Sequence, residues 1–271
     1  MADMARVRGQ FVMTRPVRIL AFHAHPDDIE TLCAGTLALL SAQGAQVICA
    51  TATAGEGGSD ITSPDETARI RKAEASTAAA LIGADYACAG LPDLGVFNND
   101  AARRAVTEVI RQSRADIVLT ASPADYHPDH EAISQLVRDA CFAASVPNYK
   151  TGEAEALGTI PHLYFMDPIG GRDREGRKVA PEFGADVSTT FSIKQSMLAA
   201  HVSQDEWVAR QHGIANHQAA LEKWTRRQGR LFSVEFAEGF RQYRHHPYPA
   251  TPRLQDLLGE ALLVPNLVGN L

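Results

Sequence analysis

The chain has 271 residues, of which 45% are apolar and 21% charged, close to the averages of globular proteins. This composition excludes a disordered, collagen-like or low-complexity chain, and the length is sufficient to bury a full core. The net charge of −6 comes from 26 basic and 32 acidic residues without a basic block, which argues against nucleic-acid binding.

The four cysteines form no CxxC pair and match no zinc-ribbon spacing. Three of them lie in apolar stretches, so we expect small buried side chains in a reducing compartment. No apolar run reaches the roughly 18 residues of a membrane span, and residues 1–18 lack the apolar centre of a signal peptide. We therefore expect a cytoplasmic protein without a membrane partner.

Strand-like and helix-like segments alternate through the first 145 residues. Short apolar runs predict buried strands at Val17–His23, Gln46–Ala52, Tyr86–Ala89 and Asp116–Thr120. Helical patterns and start signals predict helices at Leu32–Ser41, Pro64–Gly83, Asp100–Ser113 and Asp129–Phe142. This alternation predicts a Rossmann-like, three-layer α/β/α fold with a mostly parallel central sheet.

The rhythm changes after residue 145, where residues 147–161 and 170–184 are typical of a loop and a surface excursion. The remaining predicted elements are strands at His162–Met166 and Ala185–Phe191 and helices at Ile193–Ala200 and Gln204–Arg227. The tail from residue 245 is predicted to be irregular up to a final ordered segment at 254–263. Because no linker divides the chain, we assign residues 1–245 to one domain and residues 246–271 to a helical or irregular C-terminal extension.

Two polar clusters each follow a predicted strand. Ala24–Asp28 (AHPDD) comes directly after the first strand, and His127–His130 (HPDH) follows the strand that ends at Thr120. Sites form at the carboxyl ends of strands in an open parallel sheet. Either cluster alone is also typical of a turn, with Asp27 or Asp28 capping the next helix, so the case for chemistry depends on the two together.

The two clusters together contain the groups that a catalytic metal site needs. Such a zinc site commonly has three N/O ligands and one open position, and this set is available: His25, Asp28 and His130. The same set also accepts other divalent ions. Asp27 and His127 remain as the base and the donor that metal-assisted hydrolysis requires. Asp129 is a candidate to orient His127 through a ring N–H.

These paired motifs, on an alternating α/β chain and about 100 residues apart, resemble the PIG-L / LmbE-like family of zinc-dependent N-acetylglucosaminyl deacetylases. The resemblance extends over roughly residues 15–245. Further segments match the family's pattern: Arg71 and Glu74 in RIRKAE, Leu91-Pro92-Asp93, and His201-Val202-Ser203-Gln204.

The resemblance implies roles for individual residues. It implies these zinc ligands: His25, Asp28 and His130. Asp27 is implied as the general base and then the acid that protonates the amine, and His127 stabilises the oxyanion with Asp129 behind it. Arg71 and Asp93 are implied as substrate contacts, and His201 is either a third contact or a cation at the end of a helix.

The sequence therefore predicts an enzyme that removes an N-acetyl group from an acetamido sugar or a related small amide, by attack of a zinc-bound water. One alternative is a zinc-dependent hydratase of a small unsaturated carboxylic acid, whose substrate the basic residues of segment 171–178 would bind: Arg172, Arg174, Arg177 and Lys178. Another is a non-catalytic carbohydrate-binding protein, although binding alone requires neither Asp27 nor His127. The sequence is compatible with a homo-oligomer.

Four features outside the motifs have simpler interpretations. The Gly-rich loop 55–59 lacks the Lys-Ser/Thr of a P-loop, so we expect a rim near the site. His23 lies within a strand and is expected to be buried or hydrogen-bonded. His212 and His217 lie on a polar helix and are expected at the surface, as is the pair His245-His246.

Overall fold

The chain follows the predicted alternation of strands and helices as far as residue 144. The computed structural model describes residues 15–213 and 216–265. The first four strands are β1 (Arg18–His23), β2 (Gln46–Thr53), β3 (Asp85–Leu91) and β4 (Ile117–Thr120). The helices of this half are α1 (Asp28–Leu32), α2 (Ala34–Ala42), α3 (Pro64–Ala80), α4 (Asp100–Ser113) and α5 (Pro128–Ala144). The predicted helix Leu32–Ser41 is interrupted at Cys33, whose φ of −143° separates α1 from α2.

The second half contains the remaining elements. They are β5 (His162–Met166), β6 (Phe183–Asp186), α6 (Phe191–Ala199), α7 (Val202–His212), α8 (His217–Phe232), β7 (Ala237–Tyr243), α9 (Arg253–Leu258) and β8 (Leu262–Leu263). Two 3-10 turns lie at Ile169–Gly171 and Gly259–Ala261. Within the described ranges, no helix has the length and hydropathy needed to cross a bilayer.

All eight strands belong to one sheet, in the order β3-β2-β1-β4-β5-β7-β6-β8. The five strands from β3 to β5 are parallel, whereas β7 is antiparallel to β5 and β6, and β8 is antiparallel to β6. The mostly parallel sheet is therefore confirmed. The chain runs outward from β1 through β2 to β3 and then returns to the other side of β1 as β4, so the topological switch point lies between β1 and β4.

Helices cover both faces of the sheet and produce two apolar cores. Along β1, Ile19 and Ala21 belong to one core and Leu20 and Phe22 to the other, because successive side chains of a strand point to opposite faces. The first core includes apolar residues of α2, α6 and α9, and the second those of α4 and α5. Cys33, Cys49 and Cys141 are buried and unpaired, as predicted.

Two of the sequence predictions for the second half are wrong. The strand predicted at Ala185–Phe191 begins at Phe183 and ends at Asp186, whose carboxylate accepts hydrogen bonds from the backbone and side chain of Ser188 and forms a turn. The single helix predicted at Gln204–Arg227 consists of α7 and α8, because Gly213 adopts φ +64° and the Asn216 side chain caps the second helix.

Strand β7 was not predicted, because its sequence AEGFRQY contains three polar residues that the fold buries or partly buries. Glu238 illustrates the reason. Its carboxylate accepts hydrogen bonds from the backbone N–H groups of Gly35 (2.9 Å) and Thr36 (2.7 Å) at the start of α2, and from Lys194 Nζ (2.5 Å). Lys194 also donates to the Thr31 carbonyl near the end of α1 (2.9 Å). This buried ion pair therefore fixes the break between α1 and α2.

We expect Lys194→Met to destabilise the protein by about 3–5 kcal/mol, because it leaves the Glu238 charge buried without its cation. The measurement is the free energy of unfolding in urea. The control is Arg69→Ala, which removes an exposed ion pair with Glu66 and should cost less than about 1 kcal/mol. The double variant Lys194→Met/Glu238→Gln should recover part of the loss. If Lys194→Met costs no more than Arg69→Ala, the pair is not a structural determinant.

Candidate active site

The two polar motifs meet at the switch point of the sheet. Strands β1 and β4 pair in parallel with Phe22 opposite Thr120, so the loops that follow them leave the same edge side by side. One loop leads into α1 and carries His25 to Asp28, and the other leads into α5 and carries His127 to His130. The structure thus brings together motifs that the chain separates by about 100 residues.

The Asp28 carboxylate lies between the two predicted histidine ligands. Its Oδ2 is 3.3 Å from His25 Nδ1, and its Oδ1 is 3.3 Å from His130 Nε2. Ligand atoms of His25, His127 and His130 also lie within 4.8 Å of one another, as do those of His23, Asp28 and His130. Two imidazoles and a carboxylate are a donor set that suits Zn²⁺, so the residues present fit a divalent ion.

Further carboxylates surround these imidazoles. Asp125 Oδ1 lies 3.1 Å from His130 Nδ1, and His23 Nδ1 lies 2.7 Å from Asp28 Oδ2. His23 is fully buried, as predicted. Such partners fix the orientation of ring ligands and raise their basicity.

The electrostatics of the site favour positive charge. Burial opposes ionisation of the Asp28 carboxyl, but His130 and His23 hold its pKa well below the usual range. Burial likewise lowers the pKa of His130, yet Asp28 and Asp125 raise it to about 9. The carboxylates therefore stabilise a cation among the imidazoles, and a divalent ion would supply that charge.

Asp27 stands beside the candidate ligands in a strained backbone conformation. Its φ is +101°, in the region that side chains other than glycine rarely adopt, and such strain is typical of functional sites. Burial raises the pKa of its carboxyl, against the lowering effect of Arg71. Arg71 Nη2 lies 3.2 Å from Asp27 Oδ2 and donates to the Pro26 carbonyl, while Nη1 donates to the Gly55 carbonyl. Arg71 thus holds the strained turn in place.

The tautomer of His127 follows from its position at the start of α5. It is the N-cap residue, and its Nδ1 accepts a hydrogen bond from the backbone N–H of Asp129 (3.2 Å). Burial, with the nearby His130 and His25, lowers its pKa to about 4, so the ring is neutral near pH 7. A neutral ring that accepts at Nδ1 carries its proton on Nε2. His127 is therefore an N–H donor at the cavity.

The predicted role of the Asp129 carboxylate needs correction. We expected it to orient the His127 ring, but only the Asp129 backbone contacts that ring. The carboxylate accepts from the backbone N–H of Leu94 (2.8 Å) and lies 3.2 Å from His25 Nε2. The reason is geometric: at the first turn of α5, this side chain faces the loop after β3.

Asp93 and the Gly-rich loop complete the inner part of the site. Asp93 Oδ1 lies 3.1 Å from His25 Nε2, and its Oδ2 accepts from the Gly57 backbone N–H (3.0 Å). Although burial opposes it, His25 lowers the pKa of Asp93 to about 2. A Cβ at Gly58 would lie 2.6 Å from Arg71 Nη1, so the loop must lack side chains there. Gly57 and Gly58 line the cavity, which agrees with the predicted rim.

The motifs line a cavity of about 620 Å³, a size typical of small-molecule sites. We call the part formed by the buried residues His25, Asp28 and His130 its floor. Its lining includes most of the predicted site residues: His25, Asp27, Asp28, Arg71, Asp93, His127 and His130. Sequence reasoning missed others: Tyr126, Ile169, Gln204, Trp207 and Val208. Only Gln204 lies in a motif that the sequence singled out.

The positions of the side chains test two of three further expectations. His217 is not a surface residue, since it lines the cavity and its side chain is 14% exposed. The side chain of His212 lies outside the described part of the chain. His201 is buried, with its Nε2 3.3 Å from Glu30 Oε1. It is not among the described lining residues of the cavity, so its position does not favour direct contact with a substrate.

The basic residues of segment 171–178 do not reach the cavity. Arg174 pairs with Glu131, and Arg177 pairs with Asp173 and Glu175. Among the described residues, none of the four basic side chains of this segment lines the cavity. The feature that favoured a hydratase is therefore not part of the described cavity lining, and two of its four side chains, Arg174 and Arg177, form ion pairs.

Fold and site together define a Rossmann-like α/β protein with a candidate metal centre at its switch point. The family model described as PIG-L, GlcNAc-PI de-N-acetylase, matches residues 20–141. A 1D-myo-inositol 2-acetamido-2-deoxy-alpha-D-glucopyranoside deacetylase of Nakamurella multipartita is 33% identical in an alignment of length 241. The match covers 72% of this chain and 82% of that protein. The chain belongs to the PIG-L family.

Two solved structures have the same fold. The N,N'-diacetylchitobiose deacetylase of Pyrococcus horikoshii superposes with a TM-score of 0.70 at 22% identity, covering 86% of this chain and 87% of that one. The 4-carboxy-2-hydroxymuconate hydratase of Pseudomonas putida gives 0.68 at 20% identity, covering 88% and 100%. Because the second is a hydratase, the fold alone does not decide the reaction.

The capping role of His127 predicts a difference between two substitutions. His127→Ala removes the acceptor at the start of α5 and should cost about 1 kcal/mol of stability. His127→Asn replaces the ring by a good capping side chain and should retain most of that stability. Urea unfolding of both variants tests this expectation. Equal losses would show that the ring does not cap the helix.

Proposed function

We propose that this protein hydrolyses the N-acetyl group of an acetamido sugar, releasing acetate and a free amine. The observation that carries the proposal is the position of Asp27. Its backbone is strained, and its side chain lines the same cavity as the candidate ligands His25, Asp28 and His130. Because Asp27 lines the same cavity, a base there is in a position to take a proton from a water that enters it. The N-acetylglucosaminyl deacetylase names of the family and of the curated relatives support the same chemistry.

We further propose that the resident metal is a divalent ion, Zn²⁺ by preference. Its ligands would be His25, Asp28 and His130. When bound there, the ion supplies a Lewis acid that polarises the amide carbonyl and acidifies water. His127, although near enough to count as a ligand, is assigned to the substrate side because its Nδ1 accepts from the Asp129 backbone N–H, which leaves the proton on Nε2 and no free nitrogen lone pair for an ion.

The protein's own groups then perform the proton transfers. Asp27 takes a proton from the attacking water as the new C–O bond forms. The Nε2–H of His127 donates to the carbonyl oxygen as that oxygen becomes negative, in the manner of an oxyanion hole. Asp27 returns its proton to the nitrogen as the C–N bond breaks, so the products are acetate and the amine.

The alternatives fit the site less well. A hydratase of a carboxylic acid needs cations that bind its substrate, and none of the basic residues of segment 171–178 is among the described lining residues of the cavity. A protein that only binds carbohydrate does not require Asp27 in a strained backbone conformation beside Arg71, because such strain reduces stability. Hydrolysis uses both Asp27 and His127.

The test of the function is acetate release from a panel of N-acetylated amino sugars and their glycosides, with purified protein loaded with Zn²⁺. Acetate and an equal amount of free amine are expected from at least one of them. Absence of both from the whole panel, together with hydration of an unsaturated carboxylic acid, would favour the hydratase.

His130→Ala should abolish the binding of the metal, because it removes one of three ligands. Elemental analysis after dialysis is expected to give about one divalent ion per chain in the wild type and almost none in the variant. The matched control is His245→Ala, which changes an exposed histidine far along the chain. Full occupancy in His130→Ala would contradict the ligand assignment.

Asp27→Asn should retain the metal but lower kcat by about 10²–10⁴, the usual contribution of a general base.

His127→Asn should lower kcat by about 10²–10³, as expected for the loss of an oxyanion donor. Acetate release at saturating substrate measures both effects, and metal content is the control. A fall of less than about tenfold in Asp27→Asn would assign the proton transfer to another group.

A further inference from the structure

We propose that the mouth of the cavity binds an apolar group, so that the preferred substrate is an acetamido sugar joined to an aromatic or aliphatic aglycone. The proposal rests on the proposed function, because the cavity is the one in which deacetylation would occur. It adds a second subsite, separate from the polar floor.

The cavity is divided by polarity. Its floor is formed by buried histidines and carboxylates of the two motifs. Five other lining residues, which are exposed or only partly buried and which we call the mouth, are apolar or aromatic: Leu94, Tyr126, Ile169, Trp207 and Val208. These five come from four separate segments, namely the loop after β3, the loop before α5, the excursion after β5, and helix α7. An apolar wall assembled from so many segments favours a ligand with an apolar part.

Leu94 combines two unfavourable features. It is a leucine at φ +57°, and its side chain lies 68% exposed at the cavity. Its backbone is held there by carboxylates of the site, since its N–H donates to Asp129 Oδ2 (2.8 Å) and to Asp93 Oδ1 (2.9 Å). Strain and exposure together reduce stability. Contact with an apolar ligand would bury part of the Leu94 side chain and so offset this cost.

Trp207 is held over the same cavity by the contacts of α7. Gln204 Nε2 donates to the Gly58 carbonyl (3.2 Å), and Arg210 pairs with Asp60 (2.7 Å), so the helix is attached both to the Gly-rich loop and to the residue that follows it. Trp207 lies between them and is partly buried. A tryptophan placed in this way offers a large apolar surface to a ring.

The charges along the cavity wall also favour an apolar aglycone over an anionic one. Among the described lining residues, Arg71 is the only arginine or lysine, and its guanidinium is engaged by Asp27, the Pro26 carbonyl and the Gly55 carbonyl. A phosphate or carboxylate on the aglycone would therefore enter the cavity without a free arginine or lysine to pair with, close to the carboxylates of the floor. Anionic aglycones should bind weakly.

The experiment compares three probes: phenyl, methyl and 1-phospho derivatives of 2-acetamido-2-deoxy-glucose. We expect KM for acetate release to be about tenfold or more lower for the phenyl than for the methyl glycoside, with the phosphate the poorest. Calorimetric binding of the corresponding amine products measures the same preference without turnover. If phenyl and methyl derivatives bind equally and turn over equally, the proposal is overturned while deacetylation stands.

Variants at two positions, Leu94 and Trp207, separate a role of these residues in specificity from a structural role. Leu94→Asn should lose most of the phenyl preference without loss of thermal stability, because asparagine tolerates positive φ better than leucine. Trp207→Ala should lose the preference and Trp207→Phe should retain much of it. The control is Phe97→Ala, since Phe97 is 66% exposed but is not among the described lining residues. An unchanged phenyl preference in both Leu94→Asn and Trp207→Ala would overturn the proposal.

If no probe releases acetate, the proposed function fails, and binding alone then tests the apolar subsite. Phenyl glucosaminide binding about tenfold tighter than the methyl derivative, and lost in Trp207→Ala, would support the subsite. Equal binding would overturn it. The two failures are therefore distinguishable.

Discussion

The parallel pairing of β1 with β4 determines where the two motifs meet. It places Phe22 opposite Thr120 and so delivers the two motif loops to one edge of the sheet. Closing so long a loop of chain costs entropy before any contact in the site forms. The two apolar cores on either side of β1 supply the compensating burial, and the polar site is formed on an edge that the cores already hold.

At that edge the chain concentrates charges that a purely structural protein would avoid. Carboxylate oxygens of Asp28, Asp93, Asp125 and Asp129 all lie within 3.3 Å of an imidazole nitrogen of His25 or His130. Such a cluster is stable only when positive charge compensates for it. The protein obtains that compensation in two ways, through the imidazole rings themselves and through the cation that the set would hold. The site is thus poised for a metal in its electrostatics as well as in its donor atoms.

The sequence predicted the parts of the fold that local patterns determine. Helix α3 begins where Ser63 and Pro64 indicate, and α4 has the predicted bounds, because capping side chains and helical periodicity are local. Strand β7 was missed because its polar residues are stabilised by distant partners, Glu238 by Lys194 and Arg241 by Ser122. No local pattern reveals a partner that is tens of residues away.

The same distinction applies to the site. The motif residues were found because their chemistry is unusual for a loop, whereas Trp207 and His217 reach the cavity only through the packing of α7 and α8. The sequence also misjudged Asp129, since a carboxylate next to His127 in the chain faces Leu94 in space.

This arrangement has a consequence for how the two halves of the cavity are connected. Asp129 holds the backbone of Leu94 with the same carboxylate that lies beside His25, so the apolar mouth and the polar floor share one anchor. The residue therefore couples the position of a candidate metal ligand to the position of a wall residue. A change in the loop after β3 can alter substrate preference only within limits that keep the Leu94 N–H on this carboxylate. Variation of the mouth is expected to be easier in α7, because the polar contacts described for this helix join it to the Gly-rich loop, Asp60, Glu74 and His217 rather than to His25, Asp28 or His130.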